Sequence, residues 1–339
     1  MEPLKIICYG VRKNEVDYFN KLNTYGYELT LMEDLLDKDN YVCAKGHSAV
    51  LLRGNCLADR TNIKHFSNYG IKYLFTRTVG TDHIDLQAAS DYNMKVSRVT
   101  SYSPNSVAEL VVSLIMMLLR HTAYTVNKTA KLDFRTDSVM FSKELRNCTV
   151  GIIGLGKIGL TEAKLLKGLG ANVIGYDIYQ SEQAKEIVEF KKLDDLLSNS
   201  DIVSLHIPYI KGENENFINQ EFLSKMKKGS ILINTSRGEI QDESAILEAL
   251  KNNHLEGFAT DVIQNETSVF FKKFDSIDDI ENKTIKELIS LYPRVLLTPH
   301  IGSNTDEALK NMIKTSFDNL NDHIKQGYSD NDVMLPQPQ

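Results

Sequence analysis

Short apolar runs alternate with segments of helical periodicity along this chain, and the pattern changes character near residue 101. Runs at 5–9, 49–52 and 72–75 read as strands separated by helix-like segments. That rhythm predicts a small parallel α/β unit. Ser101-Tyr102-Ser103-Pro104 then interrupts it, with Ser103 placed as an N-cap and Pro104 as a first helical residue. The helix predicted over about 105–129 lines up Val107, Leu110, Val111, Leu114, Ile115 and Leu118, and Met116, Met117 and Leu119 widen the stripe. A helix apolar nearly all round is buried on more than one face. The chain's own core or a second subunit can do this, and the reading preferred is a homodimer through residues 104–129. From Cys148 onward the rhythm is βαβ, with strands predicted at 149–153, 172–176, 201–207, 230–234, 258–262 and 295–297. A last helix, from near Thr305 to about 325, crosses back to the first unit. The tail 335–339 reads as disordered.

Composition narrows the classes. At 339 residues the chain exceeds one ordinary core, so two domains are expected. Hydrophobic residues at 42% and charged residues at 25% point to a soluble globular protein. A net charge of −6 without a basic block argues against a nucleic-acid footprint. The opening Met1-Glu2-Pro3-Leu4-Lys5 runs straight into a strand without a signal-peptide core. The longest nearly apolar stretch, 110–119, is about half a membrane span. Cys8, Cys43, Cys56 and Cys148 show neither CxxC pairing nor zinc spacing. The expectation is a cytoplasmic protein with reduced thiols, no metal, and no membrane or nucleic-acid partner.

The candidate chemistry sits at predicted strand ends. Gly154-Leu155-Gly156-Lys157-Ile158-Gly159 follows one strand and opens a helix, and Asp177 ends the next strand. That context turns a weak glycine motif into a dinucleotide site. Gly154 makes the tight turn, Gly156 lets the backbone approach the pyrophosphate, Gly159 lets helix pack on strand, and the amides of Lys157 and Ile158 open the helix. Asp177 would accept from both ribose hydroxyls and repel a 2′-phosphate, so the expected cofactor is NAD. His206 and Pro208 end another strand near the adenine ribose, and Thr235 and Asp261 end two more, near the nicotinamide.

Arg237, Glu266 and His300 also lie just beyond strand-like runs, where an open parallel sheet gathers its ligand-binding groups. Reduction of a 2-oxo acid needs a carboxylate clamp, a proton donor and a hydride. Arg237 supplies a planar, permanently charged fork. His300 is the acid because its ordinary pKa lies near neutrality, and Glu266 fixes its tautomer.

The chain resembles the D-isomer-specific 2-hydroxyacid dehydrogenases over nearly its full length. The strings that carry this are Arg77-Thr78-Val79-Gly80-Thr81-Asp82-His83-Ile84-Asp85, Tyr102-Ser103-Pro104-Asn105-Ser106-Val107-Ala108-Glu109, the glycine turn, Asn234-Thr235-Ser236-Arg237-Gly238 and Thr298-Pro299-His300. The resemblance implies an α/β fold of two doubly wound parallel-sheet domains. One is a flavodoxin-like catalytic domain from both chain ends (1–102 and 300–335). The other is an inserted Rossmann NAD-binding domain (103–299). It also implies a homodimer, substrate-carboxylate binding by the amides of Val79 and Gly80, and Tyr102 near the substrate. The long segment 267–293 resembles the D-lactate and 2-hydroxyglutarate branch, and Leu52-Arg53-Gly54-Asn55-Cys56, the run 116–124 and Met140-Phe141-Ser142-Lys143-Glu144 resemble the (R)-2-hydroxyglutarate members of it. Ser303 and Asn304 stand where lactate-type members and that branch, respectively, often carry aromatics. The pocket is therefore expected to be roomier. Arg53 ends the strand at 49–52 and could pair with the distal carboxylate of 2-oxoglutarate, a surface arginine being the plain alternative. D-lactate or branched-chain 2-hydroxyacid dehydrogenation stays open as an alternative, and an NAD-sensing corepressor-like protein as a remote one.

Overall fold

A computed structural model describes residues 3–337. Met1, Glu2, Pro338 and Gln339, at the ends of the opening and tail segments read above, lie outside the described residues. The chain divides into two compact units, one running up to Ser103 and resuming at Ser303, the other spanning Pro104–Gly302. The strands of the first are β1 (Lys5–Cys8), β2 (Glu28–Leu31), β3 (Ala49–Leu52), β4 (Tyr73–Thr76) and β5 (Lys95–Ser97). Those of the second are β6 (Thr149–Ile153), β7 (Asn172–Tyr176), β8 (Glu189–Phe190), β9 (Ile202–Leu205), β10 (Ser230–Asn234), β11 (Leu255–Thr260) and β12 (Val295–Leu297). Flanking helices are α1 (Val16–Leu22), α2 (Arg60–Asn68), α3 (Leu86–Asp91), α4 (Pro104–Leu119), α5 (Thr122–Ala130), α6 (Lys157–Gly168), α7 (Glu182–Ile187), α8 (Leu193–Asn199), α9 (Gln220–Lys225), α10 (Glu243–Lys251), α11 (Lys283–Ser290) and α12 (Asp306–Gln326).

The first unit's sheet has the order β2-β1-β3-β4-β5, every pairing parallel. This is the flavodoxin-like arrangement. Successive strand residues point to opposite faces, and both faces are buried. Ile7, Val50, Leu52, Leu74 and Val96 pack with Ile63 and Phe66 of α2 and Ala88 and Ala89 of α3. Ile6, Cys8, Ala49, Leu51 and Phe75 pack with Phe19 of α1 and with Leu309, Ile313, Phe317 and Leu320 of α12. Such two-sided burial explains why these strands read as continuous apolar runs rather than alternating ones.

The second unit's sheet runs β12-β11-β10-β9-β6-β7-β8, again parallel, which is the Rossmann order with an added strand. One face packs on α4 and α6 through Val111, Leu114, Ile115, Leu118, Leu160, Ala163 and Leu166. The other packs on α8, α10 and α11 through Leu196, Leu197, Ile246, Leu250, Ile285 and Leu288.

Four expectations need correcting. The helix predicted over 105–129 is two helices bent by 70°, because His121 adopts the left-handed conformation (φ 49°). The apolar stripe of α4 is largely covered by its own unit rather than left for a second subunit. Exposed large apolar residues include Met117 on α4 and, further on, Val126, Leu132, Phe134, Val139 and Phe141. The second unit ends at Gly302 rather than at residue 299, because His300, Ile301 and Gly302 are tied to Asp261 within it. Finally, the tail is ordered as far as it is described. Leu335 packs on the first unit's core, Ser90 Oγ donates to Pro336 O at 2.6 Å, and Gln87 Nε2 donates to Gln337 O at 2.7 Å. Among the described residues no single helix is long and apolar enough to cross a membrane.

Candidate active site

Three loops leave the carboxyl ends of β10, β11 and β12, and each is fixed by buried polar groups. Asn234, fully buried at the end of β10, donates through Nδ2 to Arg237 O (3.0 Å) and Gln241 Oε1 (2.8 Å). Its Oδ1 accepts from the amide and hydroxyl of Ser236 at 3.0 and 2.8 Å. Arg237 therefore leaves an extended backbone of defined direction, and its Nη1 donates to Ser236 O at 2.7 Å. The next residue must be glycine. A Cβ on Gly238 would stand 2.1 Å from the carbonyl carbon and oxygen of Ile263.

Glu266 follows Asn265, itself left-handed (φ 50°), and its carboxylate meets His300 Nδ1 at 2.8 and 3.0 Å. His300 also has a positive φ of 51°. A non-glycine residue held there stores about 1–3 kcal/mol and persists only where its surroundings impose it. Asp261 imposes it. Its carbonyl accepts from the His300 amide at 3.0 Å, Oδ1 from Thr298 Oγ1 (2.6 Å) and the Ile301 amide (2.8 Å), and Oδ2 from the Gly302 amide (2.8 Å). Burial at 1% exposure raises the Asp261 pKa above the usual carboxylate range, against those hydrogen bonds and the neighbouring His300. Expected from sequence as a cofactor ligand, Asp261 instead spends its carboxylate on the His300 loop. The sequence signal for that was absent, because its partners lie about forty residues downstream.

The glycine turn is built as its spacing requires. Gly154 has φ +92° and a Cβ there would meet His206 O at 2.7 Å, while a Cβ on Gly159 would stand 2.0 Å from Gly154 O. Gly156, by contrast, faces open space. No acceptor among the described residues takes the amides of Gly156, Lys157 or Ile158, so the amino end of α6 keeps free donors for an anion. Asp177 Oδ2 accepts from the Leu155 amide at 2.6 Å and Oδ1 from the Tyr179 amide at 2.9 Å. Each oxygen retains a further lone pair for a hydroxyl donor. The Thr235 hydroxyl is buried with no partner among the described residues, which suits a polar ligand group. These features fit a dinucleotide.

His206 is placed differently from expectation. Its side chain is only 3% exposed, with Nε2 2.6 Å from the fully buried Glu162, which also accepts from Ser204 Oγ at 2.7 Å. The imidazole thus braces β9 against α6, while Pro208, also expected near the cofactor, is exposed. Glu162 was missed although it is an acid on the apolar face of α6, beside Gly159, Ala163 and Leu166.

The first unit supplies anion-binding groups. The loop after β4 is pinned by Thr78 Oγ1 to Gly80 O (2.7 Å), Arg98 Nη1 to Val79 O (3.1 Å) and the Val99 amide to Thr78 O (3.1 Å). The amides of Val79 and Gly80 are left without acceptors among the described residues. Tyr102 packs with Val99, Ala308 and Met312. Arg53 follows β3 and has no hydrogen-bond acceptor among the described residues. Burial, then repulsion from Arg12 and Arg77, lowers its pKa to about 10.

A Rossmann sheet with a glycine-turn helix, a strand-end aspartate and an imidazole–carboxylate pair defines a nicotinamide-dependent dehydrogenase. Residues 112–302 match the family model for the D-isomer specific 2-hydroxyacid dehydrogenase NAD-binding domain. An aromatic 2-oxoacid reductase of Clostridium sporogenes is 36% identical over 96% of this chain and 97% of its own length. The solved structure of a D-2-hydroxyisocaproate dehydrogenase has a TM-score of 0.86 at 33% identity, covering 97% of this chain and 99% of that one. A D-lactate dehydrogenase solved with NAD+ from Lactobacillus jensenii has a TM-score of 0.84 at 32% identity, covering 98% and 100%. The chain belongs to the D-isomer-specific 2-hydroxyacid dehydrogenase family, and is an oxidoreductase that uses NAD.

The Asp177 assignment has a direct check. Asp177→Ala should raise the NADH dissociation constant and shrink the preference for NADH over NADPH, measured as a ratio of kcat/KM values. An unchanged ratio would place coenzyme selection elsewhere.

Proposed function

We propose that this dehydrogenase interconverts 2-oxoglutarate and (R)-2-hydroxyglutarate in preference to monocarboxylic 2-oxo acids. The observation that carries this reading is Arg53, a largely desolvated guanidinium without an acceptor among the described residues. A buried charge is unfavourable unless paired, and a second carboxylate on the substrate supplies the pair. In the reaction a 2-oxo acid, NADH and a proton give the (R)-2-hydroxy acid and NAD+. Bound NADH supplies the hydride. Arg237 holds the carboxylate and polarises the carbonyl, and the amides of Val79 and Gly80 take carboxylate oxygens. With Nδ1 tied to Glu266, His300 presents Nε2 to the carbonyl oxygen and delivers the proton there. Glu266 stabilises the imidazolium before the transfer.

A second reading, a D-lactate-type or branched-chain enzyme, is favoured by the activities for which the relatives above are named. One experiment separates them: kcat/KM with NADH for 2-oxoglutarate, pyruvate and 2-oxoisocaproate. The proposal expects 2-oxoglutarate to lead, and a lead for either monoacid would replace it. We also propose a cytoplasmic homodimer, joined through the exposed Val126 of α5 and the exposed Leu132, Phe134 and Phe141 beyond it. An apolar strip of this kind marks a protein interface, and sedimentation at micromolar concentration tests it.

A further inference from the structure

Around Arg53 the first unit gathers more positive charge than a lone arginine would need. Arg12 and Arg77 both repel the Arg53 guanidinium, and Glu15 is the carboxylate set against them. Glu15 is already committed. Its Oε2 accepts from Arg77 Nη2 at 2.8 Å and from the Arg12 amide at 3.1 Å, and Arg77 also donates to Gly10 O at 2.6 Å. Arg77 and Glu15 are both almost fully buried, so they form a neutral, closed pair. That leaves Arg12 and Arg53. Arg12 Nη1 lies 3.9 Å from Glu15 Oε1, too far for a hydrogen bond, and instead donates to Asn304 Oδ1 at 2.7 Å. A neutral amide aims a guanidinium without cancelling its charge.

Backbone shape seats the Arg53 stem on the loop after β1. Gly10, between β1 and Arg12, has φ +71°, and a Cβ there would stand 3.1 and 3.2 Å from Cβ and Cδ of Arg53. Absence of that side chain lets the Arg53 stem lie against the β1 loop that carries Arg12. Neighbouring like charges are mutually unfavourable unless an anion sits with them. Forked donors are suited to take both oxygens of a carboxylate.

We infer that Arg12 is a second specificity-determining residue: with Arg53 it forms a two-guanidinium receptor for the far carboxylate of a dicarboxylic 2-oxo acid, and Asn304 holds it in place. This rests on the 2-oxo-diacid reading above and adds to it a residue, an anchor and a charge requirement. Arg12 is one-third exposed and Asn304 is exposed, so both can be changed without opening the core.

The test uses the full-length enzyme with NADH and compares Arg12→Gln, Asn304→Ala and Arg53→Leu on 2-oxoglutarate and pyruvate. Arg12→Gln should raise KM for 2-oxoglutarate by about 10-fold, the scale of losing one charged contact. Its kcat and its KM for pyruvate should change by less than about 3-fold on the same grounds. Asn304→Ala should reproduce the effect in weaker form, and Arg12→Lys should restore part of it. Glutarate should compete with 2-oxoglutarate in the wild-type enzyme and lose potency in Arg12→Gln. If Arg53→Leu loses diacid preference while Arg12→Gln keeps it, the Arg12 inference fails and the substrate reading stands. If no variant alters the preference, both fail. Should Arg12→Gln not fold, the Asn304→Ala comparison decides alone.

Discussion

Replacing His300 by Gln is expected to lower kcat by roughly 10²–10⁴-fold, the range that positioned general acid–base groups contribute. The NADH dissociation constant should stay within about 2-fold of wild type, since a group acting on the reacting oxygen affects turnover rather than coenzyme binding. The separation follows from the geometry. Nδ1 is held by Glu266 at 2.8 Å, which leaves Nε2 as the atom that can reach a substrate oxygen. Gln keeps hydrogen-bonding capacity but cannot carry the proton. Glu266→Gln should cost less, because an amide oxygen still fixes the tautomer while losing the charge that stabilises the imidazolium. Stopped NADH oxidation together with NADH fluorescence titration reads both quantities. An equal loss in turnover and in coenzyme affinity would mean that His300 serves mainly to hold the strained loop that Asp261 organises.

How much of this was legible in the sequence depended on whether the cause was local. Buried parallel strands announce themselves as apolar runs, so β3, β6, β7 and β10 were readable to the residue. β2, β5 and β8 were missed. β2 and β8 have at most half-buried side chains and β5 is three residues long, so none makes an apolar run. The glycine turn was legible because steric demands at Gly154 and Gly159 leave no alternative residue. The break between α4 and α5 was not. The apolar period continues across Arg120 and His121, and nothing in the residue types reports a left-handed histidine. Polar scaffolding fared worst. Asp261 reads as a crevice acid until its donors from Thr298 to Gly302 are known, and Arg12 meets Asn304 across 292 positions. Strand-end position picks out the groups at the carboxyl edge of the sheet, but not which of them brace a neighbour.

Arg53→Leu is where substrate choice should show most sharply. Loss of a charge-paired partner costs about 2–4 kcal/mol, so kcat/KM for 2-oxoglutarate should fall by roughly 30- to 1000-fold at 1.36 kcal/mol per decade. Pyruvate has no second carboxylate and should change little. It could even gain, because Leu removes a desolvated cation that a monoacid leaves unpaired. Burial and repulsion from Arg12 and Arg77 bring the Arg53 pKa down to about 10, as expected of a charge poorly accommodated in the free protein. That value still leaves the side chain cationic at neutral pH, so the receptor is charged whenever the substrate's carboxylates are. A carboxylate arriving there relieves repulsion as well as forming hydrogen bonds, and the selectivity should therefore weaken as salt screens both. Rates on the two oxo acids at low and high ionic strength check both points. A loss for pyruvate as large as that for 2-oxoglutarate would show that Arg53 supports the unit rather than reading the substrate.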